Sequence, residues 1–306
     1  MEQYRKFTFF LIAGLLVVTM GCSQFEIINE TGIRDKFLVD KIYDYHNKML
    51  AEYIYDNNNL LTNRIVTDTI VKSQQVIYRR AEDEFQYRNG RVSKIIRTSQ
   101  AHDDTGDLQY TSNSEITFEY DSQKRLTMRT PGGTDEDFTP LYEDLTFRYK
   151  KGRVVGFLDK KHDPRLHTDT MVYNQSGNIT EHVYIRANRF GSGTTERIVH
   201  QYEYDNQLKP NFGLDYLFVY QPIPYMGTVV FGLENLFFYQ PLPYRGNIVD
   251  YEMLLSKNNM TKAISEGHTY VYTYNENGLP ATIETIWNGI ETSSPMLMRI
   301  SYKQIK

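Results

Sequence analysis

The sequence contains little of what would stabilise a disulfide-bonded or a helical protein. Cysteine occurs once in 306 residues, at Cys22, so no disulfide bond can form within the chain. Alanine occurs seven times, whereas tyrosine occurs 25 times and outnumbers leucine. Alanine and leucine favour helices and aromatic residues favour strands, so this composition argues against a helical bundle. The net charge of −4 lacks the basic excess expected of a nucleic-acid-binding protein, and we expect no nucleic-acid partner.

Long hydrophobic runs are absent after the first 22 residues. No later stretch approaches the roughly 18 apolar residues of a membrane-spanning helix. At the start of the chain, Arg5 and Lys6 precede an apolar stretch at 7–18, which is too short to span a bilayer. A positive segment followed by such a stretch is typical of an export signal. The stretch ends at Gly21 and Cys22.

The Gly21-Cys22 ending resembles the lipobox of bacterial lipoproteins, although Thr19 stands where leucine is usual. The resemblance implies removal of a signal peptide at 1–21 and acylation of Cys22, which would anchor the mature chain to a membrane. The alternative is an ordinary secretory signal with an incidental cysteine. We interpret 22–40 as a tether.

A degenerate repeat organises 41–306, which we interpret as a single domain. In the clear copies an aromatic or aliphatic residue stands two positions before a tyrosine, and a polar turn and a second alternating run follow. Such a copy predicts a β-hairpin, because alternation places apolar residues on one face and Asn-Gly suits a tight turn. Seven copies predict about a dozen strands, in an all-β fold with a long curved or closed antiparallel sheet. The tyrosines that end the first strand of the seven copies are Tyr55, Tyr87, Tyr120, Tyr149, Tyr173, Tyr204 and Tyr274.

The repeat unit resembles the tyrosine–aspartate hairpin repeats of RHS-type surface proteins. Two stretches, 254–262 and 270–280, resemble segments of a family of Gram-negative lipoproteins of unknown function that have a porin-like fold. This resemblance implies a curved or closed, barrel-like antiparallel sheet and an outer-membrane lipoprotein. It implies no catalytic residues, because that family has no assigned activity.

The repeat is interrupted at about 209–268, where 213–227 is echoed by 232–246. Leucines at helical spacing before Pro-x-Pro predict short helices followed by extended segments. So large an apolar load is either buried, as a plug at one end of the sheet, or a binding surface. The binding surface would contact a glycan or a peptide through its aromatic side chains. Its candidate ligand-binding residues are Tyr220, Tyr225, Tyr239 and Tyr244.

No constellation of residues in the sequence predicts catalysis, a cofactor or a metal site. His162 and His167 flank a proline in a predicted loop, and the aspartates at 103–107 lack the ligand order of an EF-hand. We therefore expect a lipid-anchored envelope protein that binds or scaffolds without catalytic activity. The alternatives are an envelope hydrolase with carboxylates from separate repeats, and a purely structural protein. We also expect the domain not to span the membrane, because a spanning barrel would not need a lipid tether.

Overall fold

The structure is a computed structural model that describes residues 36–72, 75–133, 145–159, 170–187, 195–211, 256–265, 267–287 and 296–305. The strands belong to one compact unit, Ile33–Lys306. They are β1 (Phe37–Tyr43), β2 (Met49–Tyr55), β3 (Leu61–Lys72), β4 (Gln75–Arg88), β5 (Arg91–His102), β6 (Leu108–Tyr120), β7 (Leu126–Gly133), β8 (Leu145–Lys150), β9 (Arg153–Asp159), β10 (Thr170–Tyr173), β11 (Ile179–Ala187), β12 (Thr195–Leu208), β13 (Asn258–Ala263), β14 (His268–Tyr274), β15 (Pro280–Trp287) and β16 (Met296–Gln304).

The sixteen strands form one antiparallel sheet that curls into a nearly closed barrel. Each strand pairs with the next along the chain, except that β1 also pairs with β16 and no ladder joins β9 to β10. The all-β prediction is confirmed. The sheet has more strands than the dozen expected, because β1, β13 and β16 pair into it without a clear copy of the repeat.

Among the described residues the sheet begins at Phe37, within the stretch 22–40 that we interpreted as a tether, because 37–43 alternates and pairs with β2 and β16. Residues 258–263, within the predicted insertion at 209–268, form β13, which pairs with β12 and β14. The described ranges contain no α-helix. The predicted plugging helices fall at 212–255, outside those ranges.

One rim of the barrel, which we call the tight-turn rim, carries the turns that follow β2, β4, β6, β8, β10 and β14. At Asn89-Gly90 both residues have positive φ, 55° and 73°, as a two-residue type I′ hairpin requires. In four longer turns a side-chain oxygen fixes the loop by accepting hydrogen bonds from backbone N–H groups. In three of them the donors are two and four residues later in the chain, and at Asn174 the donor is four residues later. These residues are Asp56, Asp121, Asn174 and Asn275.

The two faces of the sheet differ in polarity. Strand β4 shows the alternation: Ala81 and Phe85 are buried, whereas Arg80 and Glu84 are exposed. Buried apolar side chains from the inward face of the strands form one continuous core, which includes Val39, Ile42, Leu61, Val92, Ile95, Phe118, Leu126, Val154, Ile179, Ile283 and Ile300. The barrel therefore has a largely apolar interior and a predominantly polar exterior.

Candidate functional site

Tyrosine hydroxyls form a ring just inside the tight-turn rim. In seven strand pairs, a tyrosine near the end of the even-numbered strand donates a hydrogen bond to a backbone carbonyl near the start of the odd-numbered strand before it. The O–O distances are 2.6–2.8 Å, and the rings pack against the core. The pairs are Tyr55–Val39, Tyr87–Leu61, Tyr120–Val92, Tyr149–Leu126, Tyr173–Val154, Tyr272–Met260 and Tyr302–Pro280.

The same contact bridges the gap in the sheet. Tyr173 on β10 donates to the carbonyl of Val154 on β9, at 2.8 Å. The guanidinium carbon of Arg153 lies 5.2 Å from the centre of the Tyr173 ring, within range of a cation–π interaction. Side chains thus join β9 and β10 at this rim, although no backbone ladder pairs these two strands.

Three charged side chains lie next to one another on the inward face of β3, β4 and β5. The register places Asp83 opposite Arg64 on one side and Arg97 on the other. All three side chains are buried, with Arg64 and Asp83 each only 1% exposed. Arg97 Nε donates to Asp83 Oδ1 at 2.6 Å, Arg97 Nη2 to Oδ2 at 2.8 Å, and Arg64 Nε to Oδ2 at 2.8 Å. We call Arg64, Asp83 and Arg97 the charged layer.

Electrostatics keep the Asp83 carboxylate ionised. Burial by itself favours the neutral acid, but the charges of Arg97 and Arg64 and their hydrogen bonds outweigh it and lower the pKa of Asp83 to about 2. Both oxygens of Asp83 are engaged by guanidinium groups. At neutral pH this carboxylate is therefore an acceptor held between two cations, not a proton donor.

The charged layer contains two guanidinium groups and one carboxylate. Arg79, two residues before Ala81 on the same inward face of β4, is also buried. In the register Arg79 stands opposite Asp68. Arg64 Nη1 is buried without a hydrogen-bond acceptor.

Polar side chains hold the chain on both sides of 212–255 by hydrogen bonds, and we call this set of hydrogen bonds the polar clamp. Asn178, in the turn after β10, accepts hydrogen bonds from the backbone N–H groups of Lys257 and Asn258 at 2.8 and 2.9 Å. Ser256 Oγ accepts from the N–H of Ile179 at 2.9 Å. Lys209 Nζ donates to the carbonyl of Ser256 at 2.5 Å, which ties the two sides together.

The clamp continues through an aspartate on β12. Asp205 accepts hydrogen bonds from the backbone N–H of Asn259, at 3.1 Å, and from the hydroxyl of Tyr274. Burial, and then the contact with the Asp205 carboxylate, raise the pKa of Tyr274, so this hydroxyl keeps its proton and donates it. Ser256, Asn258 and Asn259 all belong to the stretch 254–262.

The chain before 212 extends across the end of the barrel. The carbonyl of Asn211 accepts a hydrogen bond from the N–H of Val39, at 2.8 Å. Asn211 follows β12, whereas Val39 lies on β1, five strands away in the sheet. A bulge in the pairing of β1 with β16 near Val39 leaves this N–H available to the crossing segment.

The predicted site residues lie outside the described ranges. These are the lipidation site Cys22 and the candidate ligand-binding residues Tyr220, Tyr225, Tyr239 and Tyr244. Within the described ranges, no group of three histidine, cysteine, aspartate or glutamate side chains is placed to hold a metal ion. No helix in those ranges is both long and apolar enough to cross a membrane.

The charged layer was not predicted from the sequence, although a signal for it exists. In β4, Ala81, Phe85 and Tyr87 define the inward phase of the alternation, and Asp83 shares it. A charge in the apolar phase of a strand indicates a buried ion, and a buried ion requires partners on the adjacent strands.

No family model and no curated protein matches the chain. Among solved structures, the chain is similar to a porin-like protein from Bacteroides uniformis ATCC 8492, with 13% sequence identity and a TM-score of 0.36. That similarity covers 79% of this chain and 96% of the other. It is also similar to a porin-like protein from Bacteroides vulgatus ATCC 8482, with 14% identity and a TM-score of 0.34, covering 88% of this chain and 99% of the other.

Proposed function

We propose that the protein is a lipid-anchored protein of the cell envelope, attached to the outer membrane through Cys22, and that its barrel lies outside the bilayer. In this proposal the barrel is a binding or scaffold module without catalytic activity. The observation that carries the proposal is the polarity of the two barrel faces, which is the reverse of what a lipid-immersed barrel requires.

The outer face of the longest strands carries charged side chains. On β4 the consecutive outward positions include Arg80, Glu82 and Glu84, and on the neighbouring strands Lys94 and Glu115 form an outward ion pair at 2.7 Å. A transmembrane barrel presents an outward apolar band about 25 Å tall, and each Arg or Lys placed at the bilayer midplane costs about 2–4 kcal/mol. Contact with lipid would therefore be unfavourable for this wall.

The inner face supports the same proposal. Spanning barrels that conduct solutes have a polar, water-filled interior. Here most inward side chains form a continuous apolar core, and Ile42, Val92 and Ile179 have no exposed surface. Apart from the charged layer and a few other buried polar side chains, the inner face is apolar, while the outer face carries exposed charges. Such a barrel is suited to water, so a covalent lipid would supply the membrane attachment.

Fractionation of cells that produce the full chain tests the anchor. The wild type should sediment with the outer membrane and need detergent for release, whereas Cys22→Ser should be released without detergent. Mass spectrometry of the mature N-terminus should find an acylated Cys22. The anchor proposal fails if Cys22 is unmodified. The proposed position of the barrel fails if the mature chain folds only in detergent micelles.

The ligand that we propose is a glycan or a peptide that contacts the tyrosines of 212–255. Two findings support a functional segment there: its aromatic content, and the polar clamp that holds the chain at 209–211 and 256–259. Tyr225→Ala combined with Tyr244→Ala should abolish retention on a glycan or peptide array and change the melting temperature by only a few degrees. Tyr45→Ala, at an exposed tyrosine in the turn after β1, is the matched control.

Two other outcomes would replace the binding proposal. If the double variant loses about 2–5 kcal/mol of unfolding free energy, as core truncations do, and no ligand is retained, the segment is a structural plug. If the protein cleaves an envelope polymer, and removal of two carboxylates from separate repeats abolishes that activity, the protein is a hydrolase.

A further inference from the structure

Three side chains that commonly bind metals stand in one row on adjacent strands. Met171 on β10 is directly opposite His182 on β11, and His182 is directly opposite His200 on β12. The row runs perpendicular to the strands, with no intervening residue. We call Met171, His182 and His200 the histidine–methionine row.

All three side chains of the row lie on the inward face of the sheet. Their exposed fractions are 3% for Met171, 1% for His182 and 4% for His200. The neighbouring residues Val172 and Gln201 are exposed, as the alternation of a strand requires. The row is therefore shielded from solvent and faces the barrel interior.

The spacing of the row allows one ion to contact all three side chains. Opposite Cβ atoms on paired strands are about 4.5–5.5 Å apart, so the outer two members lie roughly 10 Å apart with His182 between them. Metal–nitrogen and metal–sulfur bonds are about 2.0–2.1 and 2.3 Å long. An ion above His182 is then within reach of the His200 imidazole and of the long, flexible Met171 side chain.

The chemistry of the ligands selects the ion. Two imidazoles and a thioether are neutral, and the thioether is a soft ligand that favours Cu(I) over ions preferring oxygen, such as Mg²⁺ and Ca²⁺. We propose that the histidine–methionine row is a buried site for one Cu(I) ion. This inference rests on the strand register and burial, and does not depend on the lipid anchor or on the ligand proposed above. It is contrary to the expectation from the sequence of no metal site.

The test is a Cu(I) titration of the full chain carrying Cys22→Ser, which removes the only thiol. Under anaerobic conditions with ascorbate, the protein should withdraw one equivalent of Cu(I) from the chromogenic chelator bicinchoninate. His182→Gln, His200→Gln and Met171→Leu should each weaken Cu(I) binding at least tenfold. Matched controls are Met298→Leu, at a buried methionine on β16, and His102→Gln, at a histidine outside the row; both should bind as the parent does.

Two results would overturn the proposal. The first is a parent protein that does not compete with the chelator, and the second is a loss of affinity in the controls as large as in the row variants. X-ray absorption of the Cu(I)-loaded parent needs no row variant and should show two nitrogen ligands and one sulfur ligand. Coordination without sulfur would equally overturn it.

Discussion

The charged layer and the ring of tyrosine hydroxyls both stabilise polar groups inside the barrel, but they do so in different ways. The charged layer buries three ionised groups in one place, where each depends on the other two. The tyrosine ring distributes seven neutral hydrogen bonds over seven strand pairs, and each joins one hydroxyl to one carbonyl. Loss of one member should therefore be costly in the charged layer and modest in the ring.

The difference follows from desolvation. A buried ion that loses its counter-ion retains the full cost of leaving water, whereas a neutral hydroxyl forfeits only a net hydrogen-bond energy of about 1 kcal/mol. Ring members are also separated along the rim, so their contributions should be nearly additive. The charged layer thus makes β3–β5 sensitive to single substitutions, and the ring makes the rim tolerant of them.

The largest effect should come from Asp83→Asn, which removes the only carboxylate of the charged layer. Arg64 and Arg97 would both lose the carboxylate that they contact, and breaking a buried ion pair in this way costs about 3–5 kcal/mol. Urea denaturation of the full chain measures the loss. A loss below about 1 kcal/mol would show that the layer is not desolvated as the structure places it.

The control replaces the whole layer with apolar residues, as Arg64→Met, Asp83→Leu and Arg97→Met together. Since none of the three charges of the layer remains, this triple variant should lie close to the wild type in unfolding free energy, or above it. If the triple variant is as unstable as Asp83→Asn, the cause is packing and not charge.

The pH dependence of stability should identify the same carboxylate. The pKa of Asp83 is about 2 in the folded chain and about 3.9 when unfolded, so its contribution is present above about pH 4 and lost as the pH falls to about 2. The whole contribution is about 2–3 kcal/mol, of which about 1.5–2 kcal/mol is lost between pH 5 and pH 2.5. Urea unfolding at pH 5 and pH 2.5 should show this loss in the wild type, beyond any change in the triple variant. Equal acid sensitivity of the two proteins would contradict it.

A smaller effect is expected in the tyrosine ring. Tyr87→Phe removes the hydrogen bond to the carbonyl of Leu61 and should cost about 0.5–1.5 kcal/mol of unfolding free energy. Tyr78→Phe, on the exposed outer face of the same strand, is the control and should change stability by less than about 0.5 kcal/mol. Tyr87→Phe combined with Tyr120→Phe should be close to the sum, and strong non-additivity would show that the ring is a coupled network.

The smallest effect on unfolding free energy is expected on the outer face of the barrel. Lys94 and Glu115 form an ion pair across β5 and β6 in which each side chain is about one-third exposed. Exposed pairs contribute about 0–1 kcal/mol, so Glu115→Gln should be nearly neutral, and 0.5 M salt should remove whatever difference exists. A loss comparable with that of Asp83→Asn would mean that the outer face is not solvated.

The sequence predicted the elements that depend on local pattern. The alternation around Phe85 and Tyr87 and the turn at Asn89-Gly90 gave β4, β5 and their hairpin, because period and turn chemistry are both local. The pairing of β1 with β16 was not predictable, since no local pattern links residues 260 positions apart, as Lys41 and Ser301 are. The charged layer was also missed, because its identity depends on which strands become neighbours.

The pairing of the first and last strands has a consequence for folding. Ile305 N–H donates to the carbonyl of Lys36 at 2.8 Å, so the two ends of the described chain meet, while the break in the ladder lies between β9 and β10. Closing a loop of about 260 residues costs about 4 kcal/mol more in chain entropy than closing a four-residue turn, so β1–β16 pairing should form late. A circular permutant that links residue 305 to residue 36 and opens between β9 and β10 would convert that late, long-range step into an ordinary hairpin. It would break no ladder hydrogen bond among the described strands, and we expect it to fold faster to the same barrel.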